Sequence, residues 1–523
     1  MRLLLLGGFL ALAFSSRAQP SNILISSAGA PSEPSICIDP RNPANMVAGA
    51  NLSNLYYSTD TGATWTRQIL TSPYGVWGDP VIGVDTHGHF YYFHLSAPNG
   101  GPFSPTWIDR IVSQKFYPGS ATFTPGTFTG LNGTKEQDKE WVAIDWRTNA
   151  IYLTWTQFDN YGSYSGADSS QILFSKSTDT GATWSTPVRI NKVGGDCIDS
   201  SNTVEGAVPT IGPNGEVYVA WAGPAGIRFD RSLNGGATWL AEDILVDPMT
   251  AGWSYNVPGV NRCNGLPFTV CDISNGPHRG TIYINWTDQR NGPGNTDVFL
   301  SRSTDGGNTW SAPIRVNDDP LTTPRHQFLS SLTIDQATGL LYCVFYDRRD
   351  YTTDATDVYM AVSSDGGQTF VNSKISASPF TPFSTVFFGD YTYVAAHNGV
   401  VRPIWTRMVN GQTSIWTAKV SGQTTGLGST PSAVFEEAVA YPNPFEETTH
   451  FSFKLRESAT VDLWVSDIHG RRVAVLMEGE KLPIGKYIEH FDPRTRGLAP
   501  GLYSFCLRVG GKVRTQRIVF GSR

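Results

Sequence analysis

The chain has 523 residues, a net charge of −6 and an isoelectric point near 5.9, and it contains no block of basic residues. This balance excludes a protein that binds nucleic acid through a positively charged surface. Six cysteines are too few for a fold held together by disulfides, whereas 53 glycines, 33 prolines and 12% aromatic residues are typical of an all-β protein rich in turns.

The chain opens with one arginine and an apolar run that ends in small residues before Gln19. A short apolar stretch with these flanks is typical of a secretory signal peptide, which we predict over residues 1–18. The run is too short to span a membrane, and no later stretch is apolar enough to do so. The sequence therefore predicts an exported protein without a transmembrane segment.

An eight-residue motif, S-x-(D/N)-x-G-x-T-(W/F), is repeated along the chain. Its five copies occupy residues 58–65, 177–184, 232–239, 303–310 and 363–370. The Asp or Asn side chain can accept backbone N–H bonds in a tight turn, and the glycine supplies a positive φ. The closing aromatic ring is then free to pack between neighbouring sheets. Such repetition predicts stacked supersecondary units and not one two-layer domain.

A second repeating feature is an apolar strand that opens on a polar or acidic residue and is followed by a turn and a second strand. From Asp79 onward the copies lie 60–65 residues apart. The pattern predicts an all-β fold, a seven-bladed β-propeller over residues 19–420, or a six-bladed one if the unit at Asp79 is an inserted hairpin. We expect residues 22–27 to supply the last strand of the final blade and so close the ring.

The composition changes after Val420. Residues 421–433 are rich in Gly, Ser and Thr, which predicts a flexible linker. Residues 434–523 contain alternating strands separated by glycine turns, a pattern that predicts a small β-sandwich.

The first strands of a propeller converge on its axis, so we expect the residues that open them to form a ring at one mouth of the central channel. This ring consists of Glu33, Asp79, Glu140, Glu205, Asn264, His326 and Asp390. The carboxylates in it are candidates for catalysis, for substrate binding or for holding Ca²⁺. His326 is a candidate base or ligand.

Loops that follow the second strands reach the same face and carry Arg290, Arg349 and Arg407 at aligned positions. Arginine forks suit bidentate capture of a carboxylate or sulfate, so this face, together with Tyr391, suits an acidic sugar. The alternative is that each arginine is an internal brace between adjacent blades.

Other candidates are fewer. His87 and His89 resemble a metal-binding pair, but they occupy a hairpin turn on the opposite face, and we interpret them as turn residues. Cys197 and Cys263 lie in loops that flank one repeat and are a candidate disulfide. Motifs for serine hydrolases, zinc proteases, P-loops and dinucleotide binding are absent.

The repeated motif resembles the Asp-box of the sialidase-like β-propellers, and the resemblance covers about residues 30–420. Such sialidases grip the substrate carboxylate with three arginines, use a tyrosine paired with a glutamate as nucleophile, and use an aspartate as acid/base. By location, the resemblance implies Tyr391 with Glu205 as nucleophile and base, and Asp79 as the acid. The arginine grip would fall to Arg290, Arg349 and Arg407, with Glu140 and Asp390 as further substrate-binding residues. The family's R-I-P tripeptide before its first Asp-box is absent here.

The C-terminal segment resembles the sorting domain of proteins exported by the type IX secretion system of Bacteroidetes-like Gram-negative bacteria. Three motifs carry the resemblance: YPNPF at 441–445, D-x-x-G at 467–470 and L-x-x-G-x-Y at 498–503. It implies passage through that machinery, followed by release or attachment at the cell surface. A generic immunoglobulin-like or carbohydrate-binding appendage is the alternative.

These features predict a secreted, glycan-active propeller, an exo-sialidase-like glycoside hydrolase that acts on acidic sugars and requires no cofactor. Two alternatives stay open. One is a polysaccharide lyase for uronic-acid polymers such as ulvan, with His326 or Tyr391 driving β-elimination and Arg349 neutralising the carboxylate. The other is a non-catalytic glycan-binding protein of the cell surface.

Overall fold

The computed structural model describes residues 21–117, 123–421, 435–443, 445–455, 457–467, 471–509 and 512–521. The signal peptide predicted over 1–18 and all but the first residue of the linker predicted over 421–433 lie outside these ranges. The chain divides into two compact units, residues 1–424 and 425–523.

The first unit begins with β1 (Asn22–Ser26) and continues through antiparallel sheets formed by strands that are consecutive in the chain. The first sheet contains β2 (Ser35–Ile38), β3 (Met46–Ala50), β4 (Asn54–Ser58) and β5 (Thr66–Ile69). The second contains β6 (Gly78–Val84), β7 (Phe90–Leu95), β8 (Ile111–Phe116) and β9 (Thr127–Thr129). The third contains β10 (Glu136–Asp145), β11 (Ala150–Phe158), β12 (Ser170–Ser177) and β13 (Val188–Arg189).

Three further four-stranded sheets follow, and a two-stranded hairpin lies between the first and second of them. The fourth sheet contains β14 (Glu205–Ile211), β15 (Val217–Ala222), β16 (Ile227–Ser232) and β17 (Ile244–Asp247), and the hairpin that follows it contains β18 (Ser254–Tyr255) and β19 (Cys263–Asn264). The fifth sheet contains β20 (Phe268–Cys271), β21 (Ile282–Asp288), β22 (Asp297–Ser303) and β23 (Ile314–Arg315). The sixth contains β24 (Gln327–Asp335), β25 (Leu340–Asp347), β26 (Asp357–Ser363) and β27 (Val371–Lys374).

The last sheet of the first unit combines both ends of that unit. Its strands β28 (Tyr393–His397), β29 (Val400–Val409) and β30 (Gln412–Ala418) are joined by β1, which pairs antiparallel with β30, while the short β31 (Val420–Ser421) pairs with β29. Ile23 lies opposite Thr417 in this pairing. The prediction that residues 22–27 supply the last strand of the final sheet is confirmed.

The first strands of these sheets form a closed cycle around one axis. In the described part of the unit, β2, β6, β10, β14, β20, β24 and β28 each contact the next, and β28 contacts β2. Residues from all of these strands or from the turns that follow them line an axial cavity of about 360 Å³. The fold is therefore all-β, with sheets arranged radially as in a propeller.

Tryptophans fill the interior between the sheets. Trp155, Trp221, Trp286 and Trp405 each lie on the second strand of a sheet and are fully buried. Large aromatic side chains bury much apolar area at one position, which suits wedge-shaped spaces between radial sheets. The core of the first unit is thus distributed between neighbouring sheets.

The five repeated motifs are the turns between third and fourth strands. In the second copy, the Ser177 hydroxyl donates to Asp179 (2.8 Å) and accepts from the backbone N–H of Gly181 (2.9 Å). Asp179 accepts from the backbone N–H of Thr183 (2.9 Å) and from its hydroxyl (2.6 Å), and these bonds lower the pKa of Asp179 to about 2. Trp184 closes the copy and packs 6.1 Å from Phe93 of the preceding sheet.

In its described residues the second unit contains two antiparallel sheets, β32-β33-β36 and β35-β34-β37-β38. Its strands are β32 (Phe435–Tyr441), β33 (Thr449–Leu455), β34 (Ala459–Ser466), β35 (Arg472–Leu482), β36 (Gly485–Phe491), β37 (Gly501–Val509) and β38 (Lys512–Phe520), with one 3₁₀ turn at Arg494–Arg496. Side chains of both sheets, among them Phe451 and Phe505 (ring centroids 4.8 Å apart), form one buried cluster. This packing agrees with the predicted sandwich.

The candidate disulfide between Cys197 and Cys263 is not formed. Cys263 lies in β19 opposite Tyr255 and is buried in an apolar cluster with Val257 and Phe328. Cys197 lies in a loop, where its backbone carbonyl accepts from the N–H of Gly162 (2.7 Å).

Among the described residues there is no helical segment with the length and hydrophobicity of a membrane span.

The repeated turn generates a stability prediction. Asp179→Ala removes the acceptor for Thr183 and should lower the free energy of unfolding by about 1–2 kcal/mol, since the site is exposed and water compensates in part. Asp179→Asn should cost less, because Asn234 makes the equivalent bond to the Thr238 N–H (2.9 Å) in the third copy. Urea unfolding measures both. Equal losses for the two variants would contradict the role of the acceptor oxygen.

Candidate functional site at the axial mouth

One end of the ring collects the loops in which functional residues were expected. The first strands begin at this end, and the loops after second and fourth strands return to it because successive strands are antiparallel. The repeated turns and the hairpins between first and second strands lie at the opposite end. We call the end where first strands begin the mouth.

Irregular backbone aims side chains into the mouth. In four first strands the register with the second strand shifts near the start, in the manner of a β-bulge. Inside each shift one residue has a positive φ: Asp79 (51°), Lys139 (51°), Gly206 (73°) and Leu329 (50°). Positive φ is unusual outside glycine, and bulges re-aim side chains, so the fold tolerates local strain to bring Asp79 and Lys139 together.

Lys139 is the centre of a charge cluster. Its Nζ lies 2.6 Å from Asp390 Oδ2, 3.0 Å from Asp79 Oδ2 and 3.8 Å from Glu33 Oε1. Burial alone would lower the pKa of Lys139, but Asp390, Asp79 and Glu33 outweigh it and raise that pKa well above its ordinary value. The lysine stays charged and ties four sheets together across the axis.

Arg262 is the second cation of the mouth. It extends from the β18–β19 hairpin and holds both carboxylate oxygens of Asp390, with its Nε 2.8 Å from Oδ1, and its Nη1 lies 3.5 Å from Asp199 Oδ2. Burial would raise the pKa of Asp390, but Lys139 and Arg262 outweigh it and hold that pKa below the ordinary range. Asp390 is therefore ionised.

Two glutamates nearby have the opposite property. Glu205 is 2% exposed, and its Oε2 has no hydrogen-bond partner among the described residues. Glu140 is 1% exposed, and within the same part of the chain neither of its oxygens has a partner. Burial, then the charge of Asp199 for Glu205 and of Asp79 for Glu140, raises both pKa values well above the ordinary value. Both carboxyls retain a proton at pH values where free glutamate is ionised.

These side chains surround two small adjoining cavities. One, of about 40 Å³, is lined by residues that include Asp79, Glu140, Trp141, Asp390 and Tyr391. The other, of about 70 Å³, is lined by residues that include Lys139, Asp199, Glu205, Arg262 and Asp390. Cavities of this size hold a few water molecules. Tyr391 is buried with its hydroxyl unpartnered in the described structure, and burial followed by Asp79 raises its pKa.

A tyrosine–carboxylate pair lies beside the second cavity. The Tyr161 hydroxyl donates to Asp199 Oδ2, and the Tyr161 backbone N–H donates to Glu136 (3.0 Å). Burial, then Asp199, raises the pKa of the Tyr161 hydroxyl. Sequence reasoning missed both members of this pair, although Tyr161 follows a second strand and so lies in a loop class assigned to this face.

Aromatic side chains border the mouth. Trp107 contacts Trp77 (ring centroids 5.5 Å apart), Phe103 (5.1 Å) and Tyr161 (5.5 Å), and we call these four residues the aromatic rim. Phe103 is 75% exposed, and Tyr164 on the neighbouring loop is 89% exposed. Exposed aromatic faces next to polar groups are typical of ligand-binding surfaces.

The three predicted substrate-binding arginines do not meet at the mouth. Each instead bridges its own sheet to the preceding one. Arg290 holds Asp288 and Asp247 (2.7 Å), Arg349 holds Asp347 and Asp318, and Arg407 donates to the carbonyl of Ser378 (2.9 Å). Each guanidinium group is occupied by these partners, so the three arginines act as braces between adjacent sheets. The predicted grip of three arginines on a substrate carboxylate is not formed.

His326 is also absent from the two mouth cavities. Its Nδ1 lies 2.9 Å from Thr296 Oγ1, and burial, followed by Arg348, lowers its pKa to about 4. The bulge in β24 places Leu329, not His326, at the position occupied by Asp79 and Lys139 in their strands. The expected ring is otherwise assembled, since Glu33, Asp79, Glu140, Glu205, Asn264 and Asp390 lie together at the mouth.

A Ca²⁺ ion would need six to eight oxygen ligands. At the mouth, Lys139 and Arg262 already neutralise the carboxylates of Asp79, Asp199 and Asp390, so an added cation would compete with them. Binding of Ca²⁺ at the mouth stays a prediction, and it would require the ion to displace these pairs.

Comparison with known proteins finds limited similarity. No family model matches the chain. Over 176 residues the chain is 30% identical to xyloglucanase Xgh74A of Acetivibrio thermocellus. This match covers 33% of this chain and 19% of the xyloglucanase, so the chain spans about a fifth of the relative's length.

Solved structures with some likeness are a protein of unknown function from Dyadobacter fermentans, an ulvan lyase and the Trypanosoma rangeli sialidase. The first is 14% identical with a TM-score of 0.42 and covers 65% of this chain and 93% of its own. The lyase is 13% identical with a TM-score of 0.46, and the match covers 77% of this chain and 94% of the lyase. The sialidase is 13% identical with a TM-score of 0.39, and the match covers 89% of each chain. At this level of similarity they do not assign the chain to a family.

Glu140 generates a prediction on pH and stability. Its raised pKa means that the folded protein keeps a proton that the unfolded chain releases above about pH 4.5. The stabilisation is complete below that pH and is lost as pH rises through the folded-state pKa, by about 1.4 kcal/mol for each pH unit between the two values. Glu140→Gln, which cannot ionise, should therefore be increasingly more stable than the wild type from pH 5 towards pH 8.

Thermal denaturation at several pH values measures this difference. The matched control is Glu216→Gln, which alters a carboxylate of lowered pKa in a hairpin turn at the opposite end. A difference between Glu140→Gln and the wild type that is the same at every pH would show that Glu140 does not hold the proton.

Proposed function

We propose that the protein is a glycoside hydrolase that acts at the mouth, with Glu205 as proton donor and Asp390 as the ionised carboxylate. One observation carries the proposal: two carboxyl groups that line one cavity have pKa values displaced in opposite directions. Hydrolysis of a glycosidic bond requires such a pair, one protonated to release the leaving group and one charged to stabilise the developing cation or to activate water.

The surroundings suit each group to its role. Glu205 is kept protonated by burial and by Asp199, and its buried Oε2 has no hydrogen-bond partner in the described structure, so no protein group competes with a glycosidic oxygen for it. Asp390 is kept ionised by Lys139 and Arg262. Glu140, on the first cavity, is a second protonated carboxyl beside the same aspartate.

The charged groups at the mouth favour a neutral substrate over an acidic one. Seven carboxyl groups surround the two cations, Lys139 and Arg262, in the described part of the mouth: Glu33, Asp79, Asp138, Glu140, Asp199, Glu205 and Asp390. An acidic sugar would be repelled by any of them that is ionised. A neutral glycan stacked on the aromatic rim suits this field better, and similarity over part of the chain to a xyloglucanase is consistent with it.

A sialidase-type reaction on acidic sugars is the second candidate. The observation that favours it is the hydrogen bond from Tyr161 to Asp199, since a tyrosine paired with a carboxylate is the nucleophile of the sialidases that the repeated motif resembles. Arg262, whose side chain is 47% exposed, would be the cation that meets the sugar carboxylate. Tyr161 would then replace Tyr391 in the role inferred from sequence.

The decisive experiment compares the wild type with Glu205→Gln on xyloglucan, a sialoside and ulvan. Released reducing ends, free sialic acid and unsaturated uronate distinguish hydrolase, sialidase and lyase. Loss of the proton donor should lower kcat by about 100-fold or more with little change in KM. Because the donor must be protonated, wild-type activity should fall as pH rises through the raised pKa of Glu205.

Glu216→Gln is again the control, because Glu216 is in the same sheet at the opposite end. Unchanged activity in Glu205→Gln would remove Glu205 from the reaction. Binding of a glycan with no product from any of the three would favour the non-catalytic alternative.

We also propose that the ring is a closed seven-bladed propeller and that the protein is exported, with the second unit as a sorting domain for type IX secretion. The motifs in residues 441–445 and 498–503 support this assignment. Residues 434–523 fused to a soluble reporter should reach the surface or medium of a strain that has this machinery. Retention of the reporter in the periplasm would contradict the sorting role.

A further inference from the structure

Three potential metal ligands converge at the end of the ring opposite the mouth. The hairpin between β6 and β7 carries Asp85, His87 and His89, and one ligand atom from each lies within 4.8 Å of the others. Asp85 is buried, His89 is half-buried and His87 is exposed. The proposed reaction at the mouth uses none of these residues.

The distances suit a small divalent ion. Asp85 Oδ2 lies 2.9 Å from His89 Nδ1 and 3.9 Å from His87 Nδ1, and the two imidazole rings are stacked with centroids 5.7 Å apart. Ligands about 2.0–2.1 Å from a tetrahedral zinc ion are about 3.3 Å from one another. The observed separations lie on either side of this value, so modest side-chain rotations would place all three atoms around one ion.

The shape of the hairpin does not require the two histidines. Asp85 accepts the backbone N–H groups of His87 and His89 at 2.9 Å each. In the equivalent hairpins, Asp39 and Asp145 accept the N–H two residues later in the same way, from Arg41 (2.9 Å) and Arg147 (3.0 Å). The aspartate is thus the common turn residue, and the pair of imidazoles is an addition specific to this hairpin.

Neighbouring groups hold the three side chains in place. Tyr91 donates to Asp85 Oδ2 (2.9 Å), and Tyr117 packs edge-on against the His89 ring (4.6 Å). The side-chain amide of Asn149 lies 3.3 Å from His87 Nδ1; its oxygen accepts from Thr86, so its nitrogen donates to His87 Nδ1. This bond engages the lone pair of Nδ1, so an ion would displace Asn149 from Nδ1 or bind the Nε2 atom of the same ring. Outer partners such as Tyr91 orient metal ligands.

The local charge does not oppose a cation. The guanidinium of Arg41 lies against Gly88, where an added Cβ would be 1.6 Å from it, but this arginine is paired with Asp39 (3.4 Å). Its charge is therefore compensated by a carboxylate outside the ligand set. The carboxylate of Asp85 remains to balance the ion.

We propose that Asp85, His87 and His89 bind a divalent transition metal of the zinc class, with water completing its coordination. Two imidazole nitrogens and one carboxylate oxygen are the donors that zinc, nickel and copper ions prefer, whereas Ca²⁺ and Mg²⁺ require more oxygen ligands. The 62% exposure of the His87 side chain leaves the site open to an ion from solution.

The test uses the full chain without an affinity tag and measures Zn²⁺ binding by calorimetry and by the shift in melting temperature. The wild type should bind one Zn²⁺ ion at this site and melt at a higher temperature when zinc is present. His87→Gln and His89→Gln should each weaken binding by about 10-fold or more, and the double variant should abolish it.

His278→Gln is the matched control, because His278 is a single histidine in the equivalent hairpin between β20 and β21. It should bind zinc as the wild type does. Both glutamine variants leave Asp85 and its turn intact, so a circular dichroism spectrum separates loss of ligands from loss of fold. Absence of zinc binding by the wild type, or unchanged binding by the double variant, would overturn the proposal.

Discussion

The pairing of β1 with β30 is the constraint on which the ring of sheets depends. It joins the beginning of the first unit to its end, so the last sheet cannot form unless both are in place. The same closure places Glu33 beside Asp390, whose backbone N–H it accepts at 3.0 Å although the two residues are 357 positions apart. Every contact across the mouth follows from this closure, because an open row of sheets would have no common axis.

Convergence on one axis explains the electrostatics of the mouth. Carboxyl groups from several sheets are brought together with little water, which raises the pKa values of Glu33, Glu140 and Glu205. Lys139 and Arg262 counteract this for the one aspartate that both contact. The carboxyl groups around the two cations therefore differ in protonation, since some keep a proton and Asp390 is ionised. Acid–base catalysis requires such a difference between two carboxyl groups.

The two ends of the ring use acidic residues differently. At the mouth they are buried and partly unpartnered, and their pKa values are displaced by burial and by one another. In the repeated turns, aspartates such as Asp60 and Asp305 are exposed and bonded to the backbone and threonine of their own turn, which lowers their pKa values. The turns therefore stabilise local structure, whereas the acids whose pKa values burial raises lie at the mouth.

Periodic features of the sequence determined the class of fold, the positions of the repeated turns, the closing role of residues 22–27 and the set of acids at the mouth, including Glu140, Glu205 and Asp390. These follow from local chemistry and from repetition, both of which can be read along the chain. The arginines were misjudged because alignment of strand ends cannot tell whether a fork points to the axis or to the adjacent sheet. His326 was misjudged because a bulge changes which residue faces inward. The roles of Lys139, Arg262 and the Tyr161–Asp199 pair in the charge cluster could be seen only in the tertiary structure, since their contacts depend on partners from other sheets and on burial, which arise only when the ring closes.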